Sequence, residues 1–304
     1  MIDYYKRLPQ NRKLKKLNNF EKGCWINVIN PSDKEIDALT KDFDLDKQNL
    51  ISGIDKNEVP RVEKDEKELY IILKILSSNQ KELDTMLILI TPKFILTLTR
   101  TQPKFINQIV LGNTKFITTQ KIGSMLMLLS KINAEFEKAT LSTARSVNAE
   151  KRAVIGKMSE RDVDNLLIHE ETLNGFVSAY HYTNLVYERI NKHINFQEEE
   201  NEELMEDLII EAKQGADLCK SSLKTISNLR NHLEVSLSNK LNKVITLLTI
   251  FTILVSVPAA ISGLYGMNVL LPMQNSTYIF YYVLGLIVIL WASFILYLKK
   301  RDVI

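Results

Sequence analysis

The chain reads as an α+β soluble part followed by long stalk helices and a two-helix transmembrane hairpin, and three observations predict this. Two runs near the C-terminus, 244–264 and 278–298, hold no charged residue, and each has the roughly 20 residues a helix needs to cross a bilayer core. Between Pro103 and Pro258 no proline occurs and glycine is sparse, a Leu-, Lys-, Glu- and Ala-rich texture that favours long helices. Ahead of Pro103, short apolar runs alternate with turn residues, which reads as strands.

Taken in order, Cys24 to Asn30 predicts a strand that stops at Pro31-Ser32-Asp33, a turn able to cap a helix starting near Lys34. Further strands are expected at 69–76, 82–90 and 94–99, the last two joined by a hairpin turn at Thr91-Pro92-Lys93. Strands followed by helices make an α+β domain with its helical part stacked toward the membrane. The run Glu198-Glu199-Glu200-Asn201-Glu202-Glu203 reads either as a solvated helix N-terminus, where carboxylates complement the macrodipole, or as an acidic rim that attracts cations.

From about Glu202 one helix is expected to run to Leu264, roughly 90 Å at 1.5 Å per residue. Ile226, Leu229, Leu233, Leu237, Leu241 and Val244 recur on it at spacings of three and four, a stripe that demands partner helices. These readings divide the chain into a cytoplasmic α/β part at 1–112, a helical part with the stalk at 113–243, a first span at 244–264, an outer loop at 265–277, a second span at 278–298 and a basic tail at 299–304.

Orientation follows from the flanks. Lys240 and Lys243 precede the first span, Lys299, Lys300 and Arg301 follow the second, and 269–277 carries no charge. By the positive-inside rule both termini are cytoplasmic in a protein of the cell membrane, in contact with lipid. The basic start, Lys6, Arg7, Arg12, Lys13, Lys15 and Lys16, lacks an apolar stretch, so neither a signal peptide nor a third span is expected there. The net charge of +3 gives no argument for a nucleic-acid partner. Cys24 and Cys219 are expected to be reduced packing residues, and no Cys/His spacing suggests zinc. No G-x-x-x-x-G-K-[ST] loop is present, which disfavours a P-loop-driven pump. His169, His181, His193 and His232 are scattered on expected helices and form no catalytic constellation, so no enzyme is expected.

Behind the first span stands Tyr265-Gly266-Met267-Asn268, preceded by Pro258 and Gly263 and followed by a short loop, a second span and a basic tail. In this the chain resembles the CorA-type divalent-cation channels, whose mark is a Gly-Met-Asn tripeptide after the first of two C-terminal spans. The phrase Val59-Pro60-Arg61-Val62-Glu63 ahead of a strand extends the resemblance into the soluble part. It implies a homopentamer with the first spans around a central axis, passive uptake of Mg²⁺ and of Co²⁺ or Ni²⁺, and no organic cofactor. Mg²⁺ holds its octahedral waters tightly, so a selectivity filter of Gly266, Met267 and Asn268 would grip the hydrated ion. The neutral Asn268 carbonyl accepts hydrogen bonds from the waters without trapping the dication. Gly266 would let backbone approach the axis, with Met267 packed beneath the ring and Tyr265 an interfacial anchor. Read without the family, Gly266 and Asn268 also suit a helix end in left-handed backbone.

Asn242, Ile245, Leu248, Thr252, Ser256 and Ala259 share one face of the first span. Lining the pore, Asn242 would form a polar ring, Ile245 and Leu248 a constriction that dewets, and Thr252 with Ser256 a wetter section. Alternatively, the two hydroxyls bond back to carbonyls one turn earlier. Relatives resembling this chain place an Asn and bulky gate residues at matching positions, often with a Thr where Ala259 stands here. The resemblance also implies a regulatory Mg²⁺ between cytosolic domains of adjacent subunits. Its stalk carboxylate falls on Asp207; the matching partner position is Ser52, and the nearest acids are Asp55 and Glu58. Many relatives carry Met-Pro-Glu-Leu in the outer loop, where this chain has Leu271-Pro272-Met273-Gln274-Asn275. Without a carboxylate, electrostatic attraction of cations to the mouth would be weaker at low salt. Two other functions remain as alternatives: a zinc or other transition-metal transporter of the same superfamily, whose members tend to vary the residue at Met267, and a non-transporting two-span signalling or scaffold protein.

Overall fold

The computed structural model describes all residues except 12, 66, 78–81, 113, 115, 155–159, 195, 197, 270–275, 277 and 301–304. It forms two compact units, Met1–Leu229 and Arg230–Ile304.

The first unit is built on a seven-stranded sheet. Its strands are β1 (Ile2–Lys6), β2 (Lys15–Leu17), β3 (Trp25–Ile29), β4 (Arg61–Asp65), β5 (Glu68–Leu76), β6 (Leu83–Ile90) and β7 (Ile95–Thr99), in the order β2-β1-β3-β7-β6-β5-β4. Only β3 and β7 run parallel. Helices α1 (Asp33–Phe43) and α2 (Lys47–Ser52) lie between β3 and β4 in the chain, and α3 (Lys104–Val110), α4 (Lys121–Val154), α5 (Glu160–His193) and α6 (Glu199–Tyr265) follow β7.

Both faces of the sheet are covered, which explains why its central strands are apolar at nearly every position. In β5 the alternation sends Tyr70 and Ile72 into a core with Ile36, Leu39 and Leu50 of α1 and α2. Ile71 and Leu73 enter the opposite core with Phe105, Leu129, Phe176, Tyr187 and Leu208 of α3 to α6. Polar groups in this larger core pair with one another. Trp25 Nε1 donates to Thr97 Oγ1 at 2.8 Å, and that hydroxyl donates to Asn27 Oδ1 at 3.0 Å. Tyr187 Oη donates to Asn133 Oδ1 at 3.0 Å, and Asn133 Nδ2 donates to the Leu208 carbonyl at 3.1 Å, joining α5, α4 and α6. Burial pushes the Tyr187 phenol far above its ordinary pKa, so it remains a donor.

The α1 start is a capping box: Glu35 N donates to Ser32 Oγ, and Ser32 N donates to Glu35 Oε2 at 2.8 Å. The strands expected at 24–30, 69–76, 82–90 and 94–99 correspond to β3, β5, β6 and β7, while β1, β2 and β4 were not expected. Lys15-Lys16-Leu17 and Arg61 to Asp65 are polar segments at the two edges of the sheet, where pairing with one neighbour replaces apolar burial. The change of texture after Pro103 falls between the last strand, β7, and α3, inside one compact unit.

In the second unit are the C-terminal part of α6 and α7 (Ile279–Lys300). Both helices are long and apolar enough to cross a membrane, and their apolar stretches are not buried by the chain. Tyr278, Phe280, Tyr281 and Tyr282 stand exposed around the start of α7, as in an interfacial aromatic belt.

Gly215 on α6 lies against the buried Tyr180 ring, where an added Cβ would collide with Cζ and Oη. Gly215→Ala should therefore lower the thermal unfolding midpoint of the detergent-solubilised chain. Overpacking costs about 1–3 kcal/mol and outweighs the ~0.5–1 kcal/mol gained in helix propensity. An unchanged or raised midpoint would contradict this packing.

Candidate functional site

Helix α6 ends at Tyr265, and Gly266 N still donates to the Ser262 carbonyl at 2.9 Å. Met267 and Asn268 follow in a bend, both exposed. The alternative reading of a left-handed helix end at Gly266 and Asn268 is not met. Among the described residues positive φ occurs only at Gly23, Asn30, Asp44 and Gly112. A Cβ at 266 would sit 3.2 Å from the Ser262 carbonyl oxygen, a tight contact. In the single chain Met267 is 50% exposed.

Below the tripeptide, Asn242, Ile245, Leu248, Thr252, Ser256 and Ala259 fall in a sector of about 120° at 100° per residue, spread over roughly 26 Å of helix. All six are exposed in the single chain. Thr252 Oγ1 donates to the Leu248 carbonyl at 2.8 Å and Ser256 Oγ to the Ile253 carbonyl at 3.3 Å. The hydroxyl protons are thus spent on the helix itself, leaving lone pairs as acceptors.

The stalk stripe changes character along α6. Ile226 and Leu229 are buried in the first unit's core, Leu233 is half-buried, and Leu237, Leu241 and Val244 are exposed. Sequence periodicity ran unbroken through that change because the helix does.

The candidate regulatory carboxylates lie apart in character as well as in sequence. Asp207 is exposed on α6 between the buried Met205 and Leu208. Asp55, also exposed, accepts from Asn57 N at 2.9 Å. Glu58 and Ser52 are both taken by Arg61, whose guanidinium also reaches Glu63 and Asn49. Among the described residues no three His, Cys, Asp or Glu side chains form a metal-holding group. Glu199, Glu200 and Glu202 occupy the first turn of α6, where carboxylates complement the helix dipole. His169, His181 and His193 lie on α5 and His232 on α6, and Cys24 and Cys219 are buried free thiols. The outer-loop stretch Leu271 to Asn275 and Arg301 fall outside the described residues.

One residue was missed. Trp291 of α7 donates through Nε1 to the Leu254 carbonyl of α6 at 3.1 Å. Neither partner carries a motif, and only the register of the two helices brings them together.

A family model described as CorA-like Mg²⁺ transporter protein matches residues 20–300. The chain is 26% identical over 296 residues to the cobalt/magnesium transport protein CorA of Methanocaldococcus jannaschii, covering 91% of this chain and 90% of that protein. Its fold resembles the complete structure of the CorA magnesium transporter from the same organism, with a TM-score of 0.85, 22% identity and coverage of 99% and 98% of the two chains. It also resembles full-length CmaX, at a TM-score of 0.75 and 11% identity over 96% of each chain. The ZntB cytoplasmic domain of Vibrio parahaemolyticus matches 78% of this chain and 98% of its own at a TM-score of 0.66 and 8% identity.

The Arg61 side chain, followed by Asn49, holds the Glu63 carboxyl below its usual pKa. A depressed folded pKa contributes stability above the unfolded value of about 4.3, lost as pH falls through the folded value. Glu63→Gln should therefore lower the unfolding midpoint at pH 7, and the gap to the parent should close below about pH 4. A gap that widened in acid would contradict the pairing.

Proposed function

The chain belongs to the CorA-like Mg²⁺ transporter family, and from that premise we propose that it is a passive channel admitting hydrated Mg²⁺, and Co²⁺ or Ni²⁺, through a homopentameric pore. Copies of α6 surround the axis, both termini lie in the cytoplasm, and Asn268 forms the selectivity ring at the outer end with Gly266 and Met267. The observation that carries this reading is the bare end of α6. Asn268 stands exposed directly behind an uncharged span whose apolar surface its own chain leaves uncovered. A ring of amide carbonyls there accepts hydrogen bonds from the waters of the dication, so the ion need not shed a shell it releases reluctantly. An inward-negative potential favours entry by about 4.6 kcal/mol per 100 mV for two charges.

Along the pore, Asn242 forms the inner polar ring and Ile245 with Leu248 the narrow apolar gate. Thr252, Ser256 and Ala259 line the section above, where back-bonded hydroxyls offer only acceptor oxygens. Internal Mg²⁺ closes the pore by binding between subunits at Asp207 and Asp55. The relatives named for cobalt and magnesium support this ion class. A signalling or scaffold protein would not need an amide at 268, and a transporter of zinc or another transition metal in place of Mg²⁺ is separated by whether Mg²⁺ enters.

Reconstitution into liposomes holding an Mg²⁺-sensitive dye tests both parts. Asn268→Ala should cut Mg²⁺ entry at least about tenfold, the loss of one water-binding ring costing of order 1.4 kcal/mol or more. Thr252→Ala and Ser256→Ala should change it less than about threefold, as their protons face their own helix. Unchanged, selective entry in Asn268→Ala would refute the filter. With Mg²⁺ inside, the parent should close and Asp207→Ala should stay open; closure that survives the substitution removes Asp207 from gating.

A further inference from the structure

Pro258 lies inside α6, and a proline has no N–H to give the carbonyl four residues earlier. That carbonyl belongs to Leu254, and it is the one that receives the Trp291 indole N–H from α7. An indole nitrogen is a donor only and needs one acceptor. Inside hydrocarbon no water competes for either group. Tryptophan ordinarily collects at the membrane interface, whereas Trp291 sits well inside α7, with no charged residue between Val283 and Tyr297. The chain's other tryptophan, Trp25, is in the sheet core with its own acceptor.

We propose that Trp291 is a positioning residue of the permeation path: its N–H replaces the donor that Pro258 lacks and thereby fixes the course of the last turns of α6, which lead to Gly266-Met267-Asn268. Proline turns are where helices bend, and Asn268 follows Pro258 by about three turns' worth of chain. With the Leu254 carbonyl held, the end of α6 keeps one bearing relative to α7. With it free, the same turn admits several, and a ring built from repeated copies of Asn268 loses its common height. The effect on ion entry rests on the channel reading above; the bond itself does not.

The test is a two-by-two comparison on the full chain in lipid: parent, Trp291→Phe, Pro258→Ala and the double variant. Alanine restores a backbone donor to Leu254, so the indole should become dispensable. Trp291→Phe should lower Mg²⁺ entry about tenfold in the parent background and less than twofold in Pro258→Ala. Loss of assembly in Trp291→Phe that Pro258→Ala restores supports the proposal equally. A loss of the same size in both backgrounds, no loss at all, or failed assembly that Pro258→Ala leaves unrepaired overturns it. A readout independent of transport is the Trp291 indole proton resonance in ¹⁵N-tryptophan-labelled protein, identified by its disappearance in Trp291→Phe or, if that variant fails, in the double variant. It should move upfield in Pro258→Ala, and an unmoved resonance overturns the proposal. Should the parent carry no Mg²⁺, the channel reading fails, and the same four proteins are compared by thermal midpoint, with the same non-additivity expected.

Discussion

A helix whose apolar stripe continues past the end of its own domain has to be covered by something, and that requirement organises this protein. Ile226 and Leu229 are buried by the first unit, whereas Leu237 and Leu241 have no cover from their own chain. In the proposed orientation Lys240 and Lys243 put this stretch before the bilayer, where lipid would not cover it. At roughly 25 cal/mol per Å² of apolar surface, leaving such a stripe in water is costly, and copies of the same helix are the cover available to a symmetric assembly. In the proposed assembly the stripe packs against neighbouring copies while the Asn242 to Ala259 face, offset from it around the helix, turns to the axis.

The chemistry of that face is sparse. It carries no charge, and its two hydroxyls in mid-span direct their protons at their own backbone. In the proposed channel a dication moving along it would meet acceptor oxygens but few groups to hold it, which suits conduction better than storage. The exposed amide of Asn268 is the natural place for discrimination in such a path, being the next strong acceptor beyond the last helical turn. The Trp291 bond adds a constraint of its own: it ties α7 to α6 at the proline turn.

How much of this was legible in the sequence depended on whether the signal was local. The Ser32 cap, the apolar runs of β5, β6 and β7, and the unbroken course of α6 rest on neighbouring residues and could be read directly. β1, β2 and β4 could not, because edge strands owe their form to a partner strand distant in sequence. The left-handed end that Gly266 and Asn268 also suited rested on propensity alone; the helix instead keeps its last bond to Ser262 and turns without positive φ. Asp207 was reached by counting along a gapless helix, but its partner lay across a region of loops, and there Arg61 gathers Ser52 and Glu58. Trp291 meeting Leu254 depends on the register of two helices, which no pattern within either one encodes.

The central claim, that Asn268 of several chains encircles one axis, is tested most directly by distances between spin labels at Asn268→Cys in the lipid-embedded protein, the native Cys24 and Cys219 being buried. A ring of five predicts two short distances in a ratio of about 1.6, the diagonal and side of a pentagon. A single long distance, or none, would contradict it.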